Sequence, residues 1–172
     1  AVKTELAIIE RRGDAALAAG NLSGAITAYE EGLGLAPDYQ ALVEKLNRVR
    51  VRQNLDRARV AINEGNLDQA DAFLKASQLI NPDNTAVAEL LATLDTQRRY
   101  RDLITQAAEA RAIPDFGRAK RLYREAKELV PGEEIDKLIE QLDFDNFLAQ
   151  ARALIAKGEL AAARGMLQPA RR

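Results

Sequence analysis

The sequence predicts an all-α protein: an α-solenoid of about four helix–turn–helix repeats that alternate short and long helices. Three observations predict this fold: the composition, a motif that recurs four times, and long stretches without glycine or proline. The 172 residues are 47% hydrophobic but only 5% aromatic, and alanine supplies much of the apolar content. Because an alanine side chain loses no entropy in a helix, this composition favours packed helices.

The recurring motif consists of a helix breaker, a large apolar residue two positions later and an alanine three positions after that. In three of the four copies a short polar residue suited to capping a helix follows the breaker: Asn21, Asn66 and Asp115. The spacing between successive alanines is 45, 49 and 44 residues, and self-similarity at a nearly fixed period indicates a solenoid. The four alanines are Ala25, Ala70, Ala119 and Ala163.

Three stretches between the motifs, residues 38–64, 83–113 and 133–157, contain no glycine or proline. We predict that each forms a long helix of roughly 40 Å at 1.5 Å per residue. Asp38 and Asp83 are the expected caps of the first two helices. Gln97, Arg98 and Arg99 form the weakest point of the second, because they provide no apolar side chain.

The first repeat carries a small residue in each helix, a glycine turn, an aromatic residue and a terminal proline: Gly13, Gly20, Ala25, Tyr29 and Pro37. This pattern resembles the tetratricopeptide repeat family, whose unit is 34 residues in two antiparallel helices. Here the spacing is about 10 to 15 residues longer, and the excess falls in the long helices. The resemblance gives a single domain, 1–172, with repeats at about 6–39, 51–84, 100–133 and 144–172.

The resemblance also implies which residues are buried and what the protein does. The four motif alanines are expected where helices cross, with Tyr29 and Tyr123 buried beside them. The implied function is a protein–protein interaction scaffold or adaptor that binds a peptide or partner protein and belongs to a larger protein or complex.

In this family the first helix of each repeat lines a concave groove. The first repeat would contribute Glu10 and Asp14. Arginines in the later repeats could hold carboxylates through paired hydrogen bonds, so an acidic partner is expected. The alternative interpretation is a solvated helix face with salt bridges along it. The predicted groove residues of the later repeats are Arg52, Asp56, Arg59, Asn63, Arg101, Arg111 and Arg152.

The sequence argues against catalysis, because it contains no histidine and no cysteine. The common general base, the thiol nucleophile and the usual zinc ligands are therefore missing. The only serines, Ser23 and Ser77, have no base motif nearby. We predict that the chain is not an enzyme and needs no cofactor or metal.

The sequence also bears on other classes of function and on localisation. A structural spacer or oligomerisation module is the main alternative, whereas nucleic-acid binding is disfavoured by the net charge of −1 and the acidic residues among the arginines. The longest apolar run, residues 15–19, cannot span a membrane. No targeting segment is found in this chain, which leaves the cytoplasm and the periplasm both open.

The fourth repeat is predicted to end early, because Pro169 falls within its second helix. Leu160, Met166 and Leu167 are then candidates for exposure. We expect this end to self-associate, or to dock onto a partner or a further segment of the parent chain.

Overall fold

The computed structural model describes the backbone of residues 2–167 and the side chains of residues 3–166, and all regular structure in this range is helical. The short helices α2, α4 and α6 have 14 residues each, whereas α3, α5 and α7 have 24, 28 and 24. The predicted all-α repeat with alternating short and long helices is confirmed. The helices are α1 (Val2–Ala18), α2 (Leu22–Leu35), α3 (Gln40–Asn63), α4 (Leu67–Ile80), α5 (Thr85–Ala112), α6 (Phe116–Leu129), α7 (Glu133–Ala156) and α8 (Leu160–Leu167).

The caps of the short helices follow the prediction in two of three cases. Asn21 Oδ1 accepts a 2.8 Å hydrogen bond from the backbone N–H of Gly24 at the start of α2. Asp115 does the same for α6, accepting from the N–H of Arg118 at 3.0 Å. Asn66 makes no cap bond, because its side-chain amide instead donates to Glu64 just before α4.

The predicted caps of the long helices are wrong. Helix α3 begins at Gln40 after Tyr39, which makes no side-chain cap bond. At the start of α5 the cap is Asn84, whose Oδ1 accepts from the N–H of Val87 at 3.1 Å. A capping side chain reaches the second or third residue of the helix only from the position directly before it, and Asp38 and Asp83 lie one residue too early.

The turn that joins the two helices of a repeat has the same backbone hydrogen bond in all four copies. In each, the N–H of the residue after the breaker donates to the carbonyl five residues earlier, as in Asn21 to Ala16. Gly20, Gly65 and Gly158 adopt φ values of 78°, 76° and 78°, in the left-handed region that glycine adopts freely. Pro114 takes this place in the third repeat with φ 27°, which strains a ring that prefers about −65°.

The chain forms two compact units, Ala1–Asp95 and Thr96–Arg172, called here the N-terminal and C-terminal units. Each has its own apolar core. The N-terminal unit has one cluster around Tyr29 and Leu42 and a second around Leu74 and Leu94, while the C-terminal core surrounds Tyr123. The single domain expected from the sequence stays a prediction.

The motif alanines are buried as predicted, with exposures of 0 to 2%. Tyr29 and Tyr123 are buried beside them. The position seven residues after each alanine is also small and buried in the first three repeats, where it holds Gly32, Ser77 and Ala126. These small side chains allow the neighbouring helices to approach closely.

The C-terminal end of the chain matches only in part the exposure that the sequence predicts. Leu160 at the start of α8 is 64% exposed, and Met166 is half-buried. The side chain of Leu167, and Pro169 with its expected helix stop, lie outside the described residues. No helix between residues 2 and 167 combines the length and apolarity needed to cross a membrane.

Candidate functional site

The N-terminal unit carries a groove of about 680 Å³ along α3, closed on one side by the end of α4 and the turn to α5. Its floor is apolar and consists of Val51, Leu55 and Ile80. Because Val51 and Leu55 are one helical turn apart, both reach the floor from the same face of α3. We call this cavity the N-terminal groove.

Three arginines of α3 line the N-terminal groove: Arg48, Arg52 and Arg59. Their spacing of four and seven residues places them on one face of the helix. Arg59 Nη1 lies 3.1 Å from Asp56 Oδ1, an exposed pair one turn apart. The lining also includes two carboxylates, Glu44 and Asp56, so the three arginines leave the groove with a local excess of one positive charge.

The carboxylates on the equivalent face of the first repeat are already paired within the chain. Lys45 from α3 lies 2.7 Å from Glu10 and 2.7 Å from Asp14, both on α1. The Lys45 hydrogen bond lowers the pKa of Asp14. Burial lowers the pKa of Lys45, but its bonds to the two carboxylates outweigh that effect and raise it. These carboxylates therefore serve an internal ionic cluster.

The C-terminal unit carries a second cavity of about 590 Å³, bounded by the end of α5, the start of α6 and the middle of α7. Half-buried Phe116 and Leu148 form its apolar walls. Arg111 Nε donates a 2.7 Å hydrogen bond to Asp145 Oδ2 across it. Arg152 also lines it, exposed and without an ion pair in the part of the chain that the structure describes. We call this cavity the C-terminal groove.

The seven predicted groove residues thus divide into three groups. Arg52, Asp56 and Arg59 line the N-terminal groove, and Arg111 and Arg152 line the C-terminal groove. The remaining two, Asn63 and Arg101, are exposed and line neither groove.

The groove residues that sequence reasoning missed include Arg48 and Phe116. Arg48 lies four residues before Arg52, and that spacing could have identified it, but the predicted second repeat begins only at about residue 51. Phe116 was interpreted only as the apolar residue of the motif, although its ring also forms a wall of the C-terminal groove.

Among the described residues, the two serines contact no general base, and no cluster of carboxylates forms a metal site. Ser23 Oγ accepts a 3.3 Å hydrogen bond from Gln53, and Ser77 is fully buried. No three carboxylates between residues 2 and 167 lie close enough together to hold a metal ion.

A family model described as tetratricopeptide repeat matches residues 16–94, from the last turn of α1 into α5. This segment is a tetratricopeptide repeat region. The helices beyond it continue the same turn and the same buried alanine, so the whole described chain has a tetratricopeptide-like architecture. Tetratricopeptide repeats generally mediate protein–protein interactions and are typically non-catalytic. No curated protein and no solved structure matches the sequence.

Proposed function

We propose that this tetratricopeptide repeat protein is a non-catalytic interaction scaffold whose N-terminal groove binds an acidic segment of a partner protein. The observation that supports the proposal is the alignment of Arg48, Arg52 and Arg59 along one groove with an apolar floor. A guanidinium binds a carboxylate through two parallel hydrogen bonds, which gives both attraction and orientation.

The floor and the charges have separate roles in this proposal. Half-buried Ile80 offers apolar surface to a partner side chain above the buried Val51 and Leu55, and burying that surface supplies affinity. Arg48 and Arg52 select acidic neighbours of that side chain. The Arg59–Asp56 pair holds one guanidinium in place and discourages a partner carboxylate from binding near Asp56.

Selection of displayed random peptides on the whole chain tests this proposal. Acidic peptides should be enriched, and the double change Arg52→Ala with Arg59→Ala should weaken their binding by about tenfold or more, since 1.4 kcal/mol corresponds to tenfold. The matched control removes two exposed arginines of α6, Arg118 and Arg121, by the same change.

If the two double variants lose peptide binding equally, the result would contradict binding in the N-terminal groove and indicate diffuse electrostatic attraction. Enrichment of neutral or basic peptides would contradict the acidic partner. Binding through the groove should also weaken with salt, because exposed charges are screened over about 10 Å at 0.1 M.

A second candidate function is an oligomerisation or spacer module, favoured by the exposed apolar side chains at the end of the chain. Ile155 is 50% exposed and Leu160 64% exposed. If they form a self-association surface, sedimentation should show concentration-dependent dimers that Leu160→Glu abolishes. A monomer at all concentrations would remove this candidate in its self-associating form.

A further inference from the structure

The third repeat departs from the other three at a position in its first helix. Eight residues before the motif alanine the other repeats have a large aliphatic residue, whereas the third has Arg111. The alignment needs no gaps here, because all four turns share the same hydrogen bond. The aliphatic equivalents are Leu17, Ile62 and Ile155.

Two further differences from the other repeats lie within the five residues after Arg111. Pro114 replaces the turn glycine of the other repeats, and Phe116 replaces their leucine. Glycine is the unstrained choice at this left-handed turn, so proline is an unfavourable substitution for the backbone itself. The replaced leucines are Leu22, Leu67 and Leu160.

All three departures line the C-terminal groove. The Pro114 and Phe116 rings add apolar surface around Leu148, and small residues on both flanking helices keep the cavity open: Ala108, Ala112 and Ala149. The other repeats form the same turn without an arginine, a proline or a phenylalanine at these positions. Three differences that all line one cavity therefore indicate that the cavity, and not the turn, requires these residues. We infer that this groove is a specialised binding site.

The charges around the cavity specify its ligand. Arg111 already satisfies Asp145, with which it forms a partly exposed ion pair. Arg152 is the remaining cation of the groove and has no such partner within the described range. The three charged residues of the groove sum to +1, so one carboxylate can be neutralised at Arg152, whereas a second one would find no unpaired cation in the groove.

We propose that the C-terminal groove binds a partner segment in which one large apolar side chain is adjacent to a single carboxylate. The apolar side chain packs between Phe116, Pro114 and Leu148, and Arg152 binds the carboxylate. This proposal extends the proposed function to a second site with a different preference, and it does not depend on the N-terminal groove.

The test uses random displayed peptides and the whole chain in three forms: the unchanged protein, Pro114→Gly with Phe116→Leu, and Arg152→Gln. The first double change restores the residues that the other repeats carry, so the variant keeps a turn that is known to form in this chain. Arg52→Ala with Arg59→Ala is the control, because it leaves the C-terminal groove intact.

We expect a class of peptides with adjacent large apolar and acidic residues that binds the control as well as the unchanged protein. Both C-terminal groove variants should weaken this class by about tenfold, with circular dichroism showing unchanged helix content. If no peptide class depends on these residues, or if the dependent peptides lack the apolar or the acidic residue, the proposal is wrong. If only Arg52→Ala with Arg59→Ala weakens peptide binding, the result contradicts a C-terminal binding site and supports the N-terminal groove.

Discussion

The hydroxyl of Tyr29 donates a 2.7 Å hydrogen bond to Oδ1 of Asp14, across the two helices of the first repeat. The ring itself is buried against Gly13, where an added Cβ would lie 2.7 Å from its Cδ1 atom. Burial, together with the bond to Asp14, raises the pKa of Tyr29 to about 12. One side chain therefore joins the apolar core to the ionic cluster of Lys45.

This cluster predicts the pH range in which the first repeat is stable. The raised pKa values of Tyr29 and Lys45 stabilise the folded state below about pH 10, and that contribution is lost as pH rises through their folded values. The lowered pKa of Asp14 contributes above about pH 3.8 and is lost as pH falls through its folded value. The contribution of this cluster to the free energy of unfolding should therefore be constant between about pH 4 and 10.

Tyr29→Phe tests the alkaline side of that range. The change should destabilise the protein by about 1 kcal/mol at neutral pH, a modest value because Asp14 is half exposed to solvent. The difference should shrink as pH rises from about 10 to 12, because the unfolded tyrosine ionises over this range while the folded one stays protonated. Denaturant unfolding at several pH values measures it, with Tyr123→Phe of the third repeat as control. If the stability difference between Tyr29→Phe and the unchanged protein does not vary with pH, the hydrogen bond from Tyr29 to Asp14 is refuted.

Two glycines of α2 should respond in opposite ways to alanine. A Cβ at Gly32 would lie 2.5 Å from Cδ1 of the buried Leu42, so Gly32→Ala should destabilise by about 1–3 kcal/mol. Gly34 has open space around it, and Gly34→Ala should stabilise by about 0.5–1 kcal/mol because alanine favours the helix. Thermal unfolding of both variants checks this. Similar shifts in both would mean that Leu42 moves aside easily.

Ser77→Ala should increase stability. Ser77 is fully buried on α4, and its hydroxyl has no hydrogen-bond partner in the described structure. An unsatisfied buried hydroxyl costs about 1–3 kcal/mol, and alanine already occupies the equivalent position of the third repeat, Ala126. Ser23→Ala on the surface of α2 is the control and should change stability by less than about 0.5 kcal/mol. A loss of stability in Ser77→Ala would show that the hydroxyl binds a buried water.

Pro114→Gly should also stabilise the protein, by about 1 kcal/mol. The gain comes from relieving a positive φ at proline, and the greater freedom of glycine in the unfolded chain offsets part of it. The reverse change, Gly65→Pro, should destabilise, because it imposes the same strain and removes the N–H that donates to Ile62. Urea titrations of both variants measure these effects. If Pro114→Gly is less stable than the unchanged protein, the backbone of Pro114 is not strained.

Most of the fold could be predicted because the helix signals are local and repeated. Glycine turns, the motif alanine and the absence of breakers located the helices to within about two residues, as in α3 and α7. The caps of α3 and α5 could not be placed as well. Three polar or aromatic residues follow Pro37 and Pro82, and only the backbone geometry decides which of them precedes the helix.

The candidate site was predicted only in part, since a groove depends on which faces meet in three dimensions. Arg52 and Arg59 share a face of one helix, so their spacing was sufficient. The pairing of Arg111 with Asp145 joins residues 34 positions apart, and no local pattern encodes it. The neutralisation of Asp14 by Lys45 is equally non-local, with 31 positions between them.

The three turn glycines have a stereochemical consequence. Around Gly20, Gly65 and Gly158 an added Cβ would meet nothing within 4 Å, so the obstacle to a side chain there is the handedness of the α-carbon and not a lack of room. An L-residue resists the positive φ of these turns, whereas its mirror image prefers it. D-Alanine placed at these positions by chemical synthesis would therefore suit the backbone, add no clash and restrict the unfolded chain.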